Sequence, residues 1–180
     1  MLYHFSEEPG IELFEPRRPP TPPVPPPGMS AQLLAATKVV WAIDAWHSPV
    51  YYFPRECPRI CFWPLPGTNE ADRRRWMGDS DAPMVACIEE AWLERLSTTT
   101  LYRYHMPEES FRFFAAPGMW LSEQTVVPTA VAPVGDLIAA LRDAEVELRV
   151  MESLQPLRGI WDSSLHASGI RLRNARGWSG

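Results

Sequence analysis

Three cysteines in 180 residues are too few, and odd in number, for a disulfide framework. Cys57 and Cys61 lie four apart and Cys87 stands alone, so the chain reads as reduced and cytoplasmic. No apolar run approaches the roughly 18 residues of a membrane span. No charged-then-apolar leader opens the chain. Positive charge is also scarce. Seventeen Lys and Arg against 22 Asp and Glu give a net charge of -5, which speaks against generic nucleic-acid binding. A Gly-rich phosphate loop and a G-x-S-x-G elbow are both missing. Cys57-x-x-x-Cys61 with His47 has metal-type residues. Pro58 and strand character put those cysteines wide apart on one face, without a fourth ligand at motif spacing, so no metal is expected.

What is present is apolar and aromatic. Hydrophobic residues make up 46% and aromatics 11%, with eight Trp, which predicts a globular chain rather than a disordered one. Length predicts a single domain over 1–180. The opening stretch Leu2-Tyr3-His4-Phe5-Ser6 alternates as a strand, with Leu2, His4 and Ser6 on one face and Tyr3 and Phe5 on the other. His4 and Ser6 then form a small hydrogen-bonding platform, or His4 is a strand histidine satisfied by a neighbour. Residues 16–28 hold eight of the 20 prolines. Consecutive prolines cannot donate to a helix or sheet, so this is a stiff surface loop, with an SH3-type ligand as the other reading.

Further along, 30–37 reads as a helical turn capped by Ser30. Lys38 to Ile43 is a strand, and a short helix ends before Pro54. Pro58 to Trp63 is the next strand, followed by a loop from Pro64 to Gly78. Met84 to Leu96 reads as a helix, with Val85, Ile88, Trp92 and Leu96 on one face. Strands are expected at 101–106, 111–114, 119–122 and 125–131, and a turn at 115–118. A helix at 135–144, a strand at 146–151, a helix at 154–165 and a strand at 170–173 complete the pattern. Strands cluster rather than alternate with helices, which predicts an α+β fold and not a doubly wound sheet.

Arginines supply the candidate anion contacts. Arg55 and Arg59 stand on either side of Cys57, each directly after a proline, Pro54 and Pro58, and their planar forks suit phosphate or carboxylate, or a neighbouring acid such as Glu56. Arg73, Arg74 and Arg75 follow Asp72 on a solvated stretch. Arg158, Arg171, Arg173 and Arg176 face one acid, Asp162, near the C-terminus, which suggests a local anion site.

The segments LYHFSEEPGIELFEPR, VWAIDAWHSPVYYFPRECPR, PVGDLIAAL and VELRVMESLQPL resemble an uncharacterised bacterial family of unknown function, over most of the chain. A more distant resemblance is to ADP-ribosyltransferase-like folds. It rests on His4-Phe5-Ser6, on Val39-Val40-Trp41-Ala42 leading into 44–53, and on Leu101–Met106 followed by 120–128. That resemblance implies NAD as cofactor. His4 and Ser6 would hold the ribose and amide, Trp41 would stack on nicotinamide, and Glu123 would be the catalytic acid. Apart from the resemblance, the guanidinium of Arg55 or Arg59 suits the pyrophosphate of such a ligand. Trp41 stands where the family has Tyr, and Glu123 comes later than the usual acid. The implied activity is transfer or hydrolysis at the nicotinamide–ribose bond. The alternative is a non-catalytic module for a nucleotide or small-molecule ligand, or for a protein partner. Either reading places His4 and Trp41 on neighbouring strands that open into one cleft.

Overall fold

Alternation in the opening stretch becomes strand β1, Leu2–Ser6. A computed structural model describes residues 1–19, 35–114 and 117–178. They cluster as two units, Met1–Ser48 with Leu101–Pro133, and Pro49–Thr100 with Val134–Gly180. The architecture is α+β, as expected.

The first unit is a six-stranded antiparallel sheet. Its strands are β1, β2 (Val40–Asp44), β5 (Tyr102–Met106), β6 (Arg112–Phe113), β7 (Met119–Ser122) and β8 (Ala130–Pro133), in the order β6-β7-β2-β1-β5-β8. Register assigns the faces, because directly paired residues point the same way. Leu2 pairs with Asp44 and Met106, and His4 with Tyr104. One face therefore carries Leu2, His4, Ser6, Val40, Ala42, Tyr104 and Met106. Ile11, Phe14, Phe111 and Val126 pack against it. The bridge between Phe14 and Val126 holds the covering segment down through paired backbone bonds of 2.8 and 3.0 Å. The opposite face carries Tyr3, Phe5, Trp41, Ile43, Arg103 and His105, with Val39, Phe114 and Leu121 as a smaller core.

The second unit has a four-stranded sheet, β10-β3-β4-β9. Its strands are β3 (Arg59–Trp63), β4 (Met84–Glu89), β9 (Val146–Met151) and β10 (His166–Ile170), and only the β4–β9 pair is parallel. Ile60, Phe62, Val85 and Cys87 share one core with Leu154, Leu157, Ile160 and Leu165. Helices α1 (Glu70–Met77), α2 (Leu93–Thr98) and α3 (Leu137–Asp143) complete the unit. No described helix is long and apolar enough to cross a membrane.

Helix α1 is fastened at both ends. Asn69 caps it by accepting the Asp72 amide at 2.8 Å. Arg149 donates to the carbonyls of Trp76 and Met77, both at 2.7 Å, in the last turn, where carbonyls lack partners within the helix, and Met77 also accepts the Ser80 amide at 3.3 Å. The Asp72 carboxylate accepts the Ser164 amide and hydroxyl, both at 2.7 Å, and the Asn69 side chain at 2.9 Å. Those bonds, the Ser164 amide first, hold its carboxyl below the ordinary aspartate range. A depressed folded value contributes stability that is complete above the unfolded value, about 3.9, and is lost as pH falls through the folded one. Asp72→Asn should therefore flatten the acid limb of the melting temperature below about pH 4. A variant whose acid limb runs parallel to wild type would remove this assignment.

Several expected elements differ. Met84–Glu89 is a strand, followed by a 3-10 turn at Glu90–Trp92 and the short helix α2. All six residues of β4 are buried, and a strand buried on both faces shows no period of two, so its apolar run also fits a helix. The loop expected from Pro64 to Gly78 contains α1, whose one buried residue, Met77, left no apolar stripe to read. Residues 125–131 form a bridge at Val126 and then β8. The helix expected at 154–165 is a 3-10 run, Gln155–Asp162. The last strand lies earlier, at His166–Ile170, and a 3-10 turn at Leu172–Asn174 replaces the alternation expected there. In the proline-rich stretch, Arg17 pairs with Val39, and residues 20–28 lie outside the described residues, as do 30–34 and 115–116.

Candidate functional site

The residues proposed from the sequence fall in both units. His4 and Ser6 share a face of β1, as the alternation requires. His4 Nδ1–H donates to the Trp41 carbonyl at 2.9 Å, and its ring lies 4.7 Å from that of Phe14. Ser6 is buried, and its hydroxyl accepts the Glu8 amide at 3.1 Å. Tyr3 pairs with Ile43, so the same register sets Phe5 beside Trp41. Trp41 and His4 therefore stand on neighbouring strands but opposite faces, and the single cleft expected between them is not formed. The Trp41 ring packs edge-on against Phe114 at 5.2 Å. Glu123 follows β7 with its side chain 55% exposed, and accepts a bond from Arg112 at 2.8 Å.

Arg55 and Arg59 belong to the second unit. Arg55 is exposed, and its carbonyl accepts Arg171 Nε at 3.2 Å. Arg59 is only 2% exposed. Three of the C-terminal arginines find acids away from Asp162, while Arg158 Nε donates to the Gln155 side-chain oxygen at 2.6 Å. Arg171 and Arg173 pair with Glu56 at 3.3 and 3.1 Å, and Arg176 with Glu152 at 3.1 Å. The Asn174 amide, then the two guanidinium groups, holds the Glu56 carboxyl below its ordinary range. Cys57, Cys61 and Cys87 are buried, and burial pushes each thiol up to about 12. No cluster of metal-ligating side chains occurs among the described residues.

Two constellations in the six-stranded unit escaped the sequence reading. The first is a dyad. Asp44 Oδ1 and Oδ2 lie 2.8 and 3.0 Å from His47 Nδ1, and Oδ1 also accepts the His47 amide at 2.9 Å. Asp44 thus fixes both the turn after β2 and the tautomer of its histidine. Gly118, at φ +74°, lets the His47 ring approach its Cα.

The second is the face that carries Trp41. Phe5 pairs with Arg103 and Tyr3 with His105, which builds the rows Trp41–Phe5–Arg103 and Ile43–Tyr3–His105 across β2, β1 and β5. The Arg103 guanidinium lies 5.1 Å over the Tyr3 ring, and His105 meets that ring edge-on at 5.0 Å. Arg103 Nε is buried without a hydrogen-bond partner, and the guanidinium has no carboxylate partner among the described residues. Trp120 Nε1, on the other face, is also buried and unpaired. Strand alternation in Tyr102-Arg103-Tyr104-His105 was legible. Its pairing with β1, about a hundred residues earlier, was the missing signal.

No curated protein and no solved structure matches the chain. Residues 3–175 match the model of a family of unknown function, DUF6886, and the chain belongs to that family.

Proposed function

We propose that the six-stranded unit is a nucleotide-binding module, with NAD or ADP-ribose as its ligand. The observation that carries this reading is Arg103. A buried guanidinium N–H without an acceptor costs about 1–3 kcal/mol or more, and an anionic oxygen would satisfy it. Trp41 and Phe5 lie in the same row, and aromatic faces hold a base or a cationic nicotinamide ring. The resemblance to ADP-ribosyltransferase-like folds supplies the ligand class. Binding without cleavage is the preferred form, because Glu123 is tied to Arg112 and the groups assigned to turnover do not share a face.

Calorimetric titration tests this. Wild type should bind NAD and ADP-ribose. Arg103→Met should weaken both by about 10- to 100-fold, the worth of a charged hydrogen bond. Trp41→Ala should cost NAD about tenfold through lost stacking. Glu123→Gln should bind like wild type, and no protein should release nicotinamide. Absence of binding to wild type, or full affinity in Arg103→Met, would overturn the reading. Nicotinamide release that Glu123→Gln abolishes would restore the enzyme.

A further inference from the structure

We infer that Arg59 and Arg171 of the four-stranded unit form a second anion site, one that takes a phosphate group. This inference is independent of the Arg103 face. Arg59 begins β3, and its Nε and Nη1 donate to the carbonyls of Val50 and Cys57 at 2.7 and 2.9 Å. Its guanidinium lies 5.7 and 5.2 Å from the rings of Tyr51 and Phe53. Nη2 has no acceptor, and no carboxylate pairs with the group, among the described residues. A buried charge is ordinarily paired, because isolation in a low dielectric is costly.

The neighbours do not supply the missing charge. Cys57 and Cys61 titrate near 12 and are neutral thiols at pH 7. Burial raises the Tyr51 phenol as well, so it too is neutral. Glu56, the local acid, is shared between Arg171 and Arg173. A second cation stands close by instead. Ile170 pairs with Arg59 across β3 and β10, which places Arg171 next in line, and its charge acts on both Arg59 and Tyr51.

Arg171 has a left-handed backbone, at φ 56°, and its side chain is 21% exposed. It spends Nε on the Arg55 carbonyl and on Glu56. Its terminal nitrogens make no hydrogen bond among the described residues, and in the inferred site they and Arg59 Nη2 would hold one tetrahedral anion between them. Planar guanidinium forks match phosphate oxygens in this way.

Thermal unfolding of the full chain, with inorganic phosphate, ADP-ribose or chloride at matched ionic strength, tests the inference. Phosphate at about a hundredfold excess over Kd should raise the melting temperature by roughly 5 °C or more beyond chloride. Arg171→Gln should flatten that response, and Arg103→Met should keep it. An ADP-ribose response that Arg171→Gln reduces as well would identify the phosphate as nucleotide-borne. A response to ADP-ribose unaltered by Arg171→Gln, with none to phosphate, would overturn the site. So would equal shifts in phosphate and chloride, or an Arg171→Gln variant that responds like wild type. Arg59→Met should also lose the response, and if that variant does not fold, Arg171→Gln decides.

Discussion

Replacing Tyr104 with alanine should cost about 3–5 kcal/mol of folding stability, the range for deleting a large buried aromatic. Tyr104 is fully buried in β5. Its ring meets Phe14 edge-on at 5.2 Å. Its hydroxyl donates to the Glu8 carbonyl at 2.5 Å and accepts the Ile11 amide at 3.1 Å. One side chain thus fastens the chain leaving β1 to the sheet, by packing and by two bonds to backbone groups. Tyr104→Phe keeps the packing and should cost only about 1–2 kcal/mol, since it strands one carbonyl and one amide. Urea denaturation separates the two variants. A Tyr104→Phe loss as large as that of alanine would mean the ring packing counts for little.

Gly118→Ala should cost about 2–4 kcal/mol, from backbone strain and overpacking together. The backbone there has φ +74°, and an added Cβ would lie 2.4 Å from His47 Cγ and Nδ1. The His47 ring is held by Asp44 and cannot swing away without losing those bonds. A double-mutant cycle isolates the contact. Gly118→Ala combined with His47→Ala should cost less than the sum of the two single changes, with the strain of the positive φ and the 2.6 Å approach to the Cβ of residue 47 remaining. Strict additivity would show that the ring and the glycine do not meet.

These two positions show where the sequence was informative. Strand character at 2–6 and 102–106 came from alternation, and so did the division of Leu2, His4 and Ser6 from Tyr3 and Phe5. Alternation is local, with side chains turning over at every residue. Which strand pairs with which, and in what register, depends on contacts distant in the chain. Setting Trp41 beside Phe5 rather than His4 needed that register, and so the expected cleft failed although the strands around it were read correctly. The same limit hid Arg103, whose partner Tyr3 lies at the other end of a long loop closure. Met84–Glu89 failed for a different reason. A run buried on both faces has no polar phase to betray its period. Helix α1 was readable by its ends, Asn69 and Gly78, but not by its apolar content.

The proposed site makes one demand of a single atom: Arg103 Nε must gain an acceptor when ligand binds. Nitrogen-15 NMR of the arginine Nε–H groups, with Arg103→Met to assign the resonance, reads that atom directly. On addition of ADP-ribose the Arg103 Nε–H should move downfield and exchange more slowly with water, as a new charged hydrogen bond forms. If that resonance stays in place while ADP-ribose is shown to bind, the ligand lies elsewhere and the Trp41–Phe5–Arg103 face is not its site.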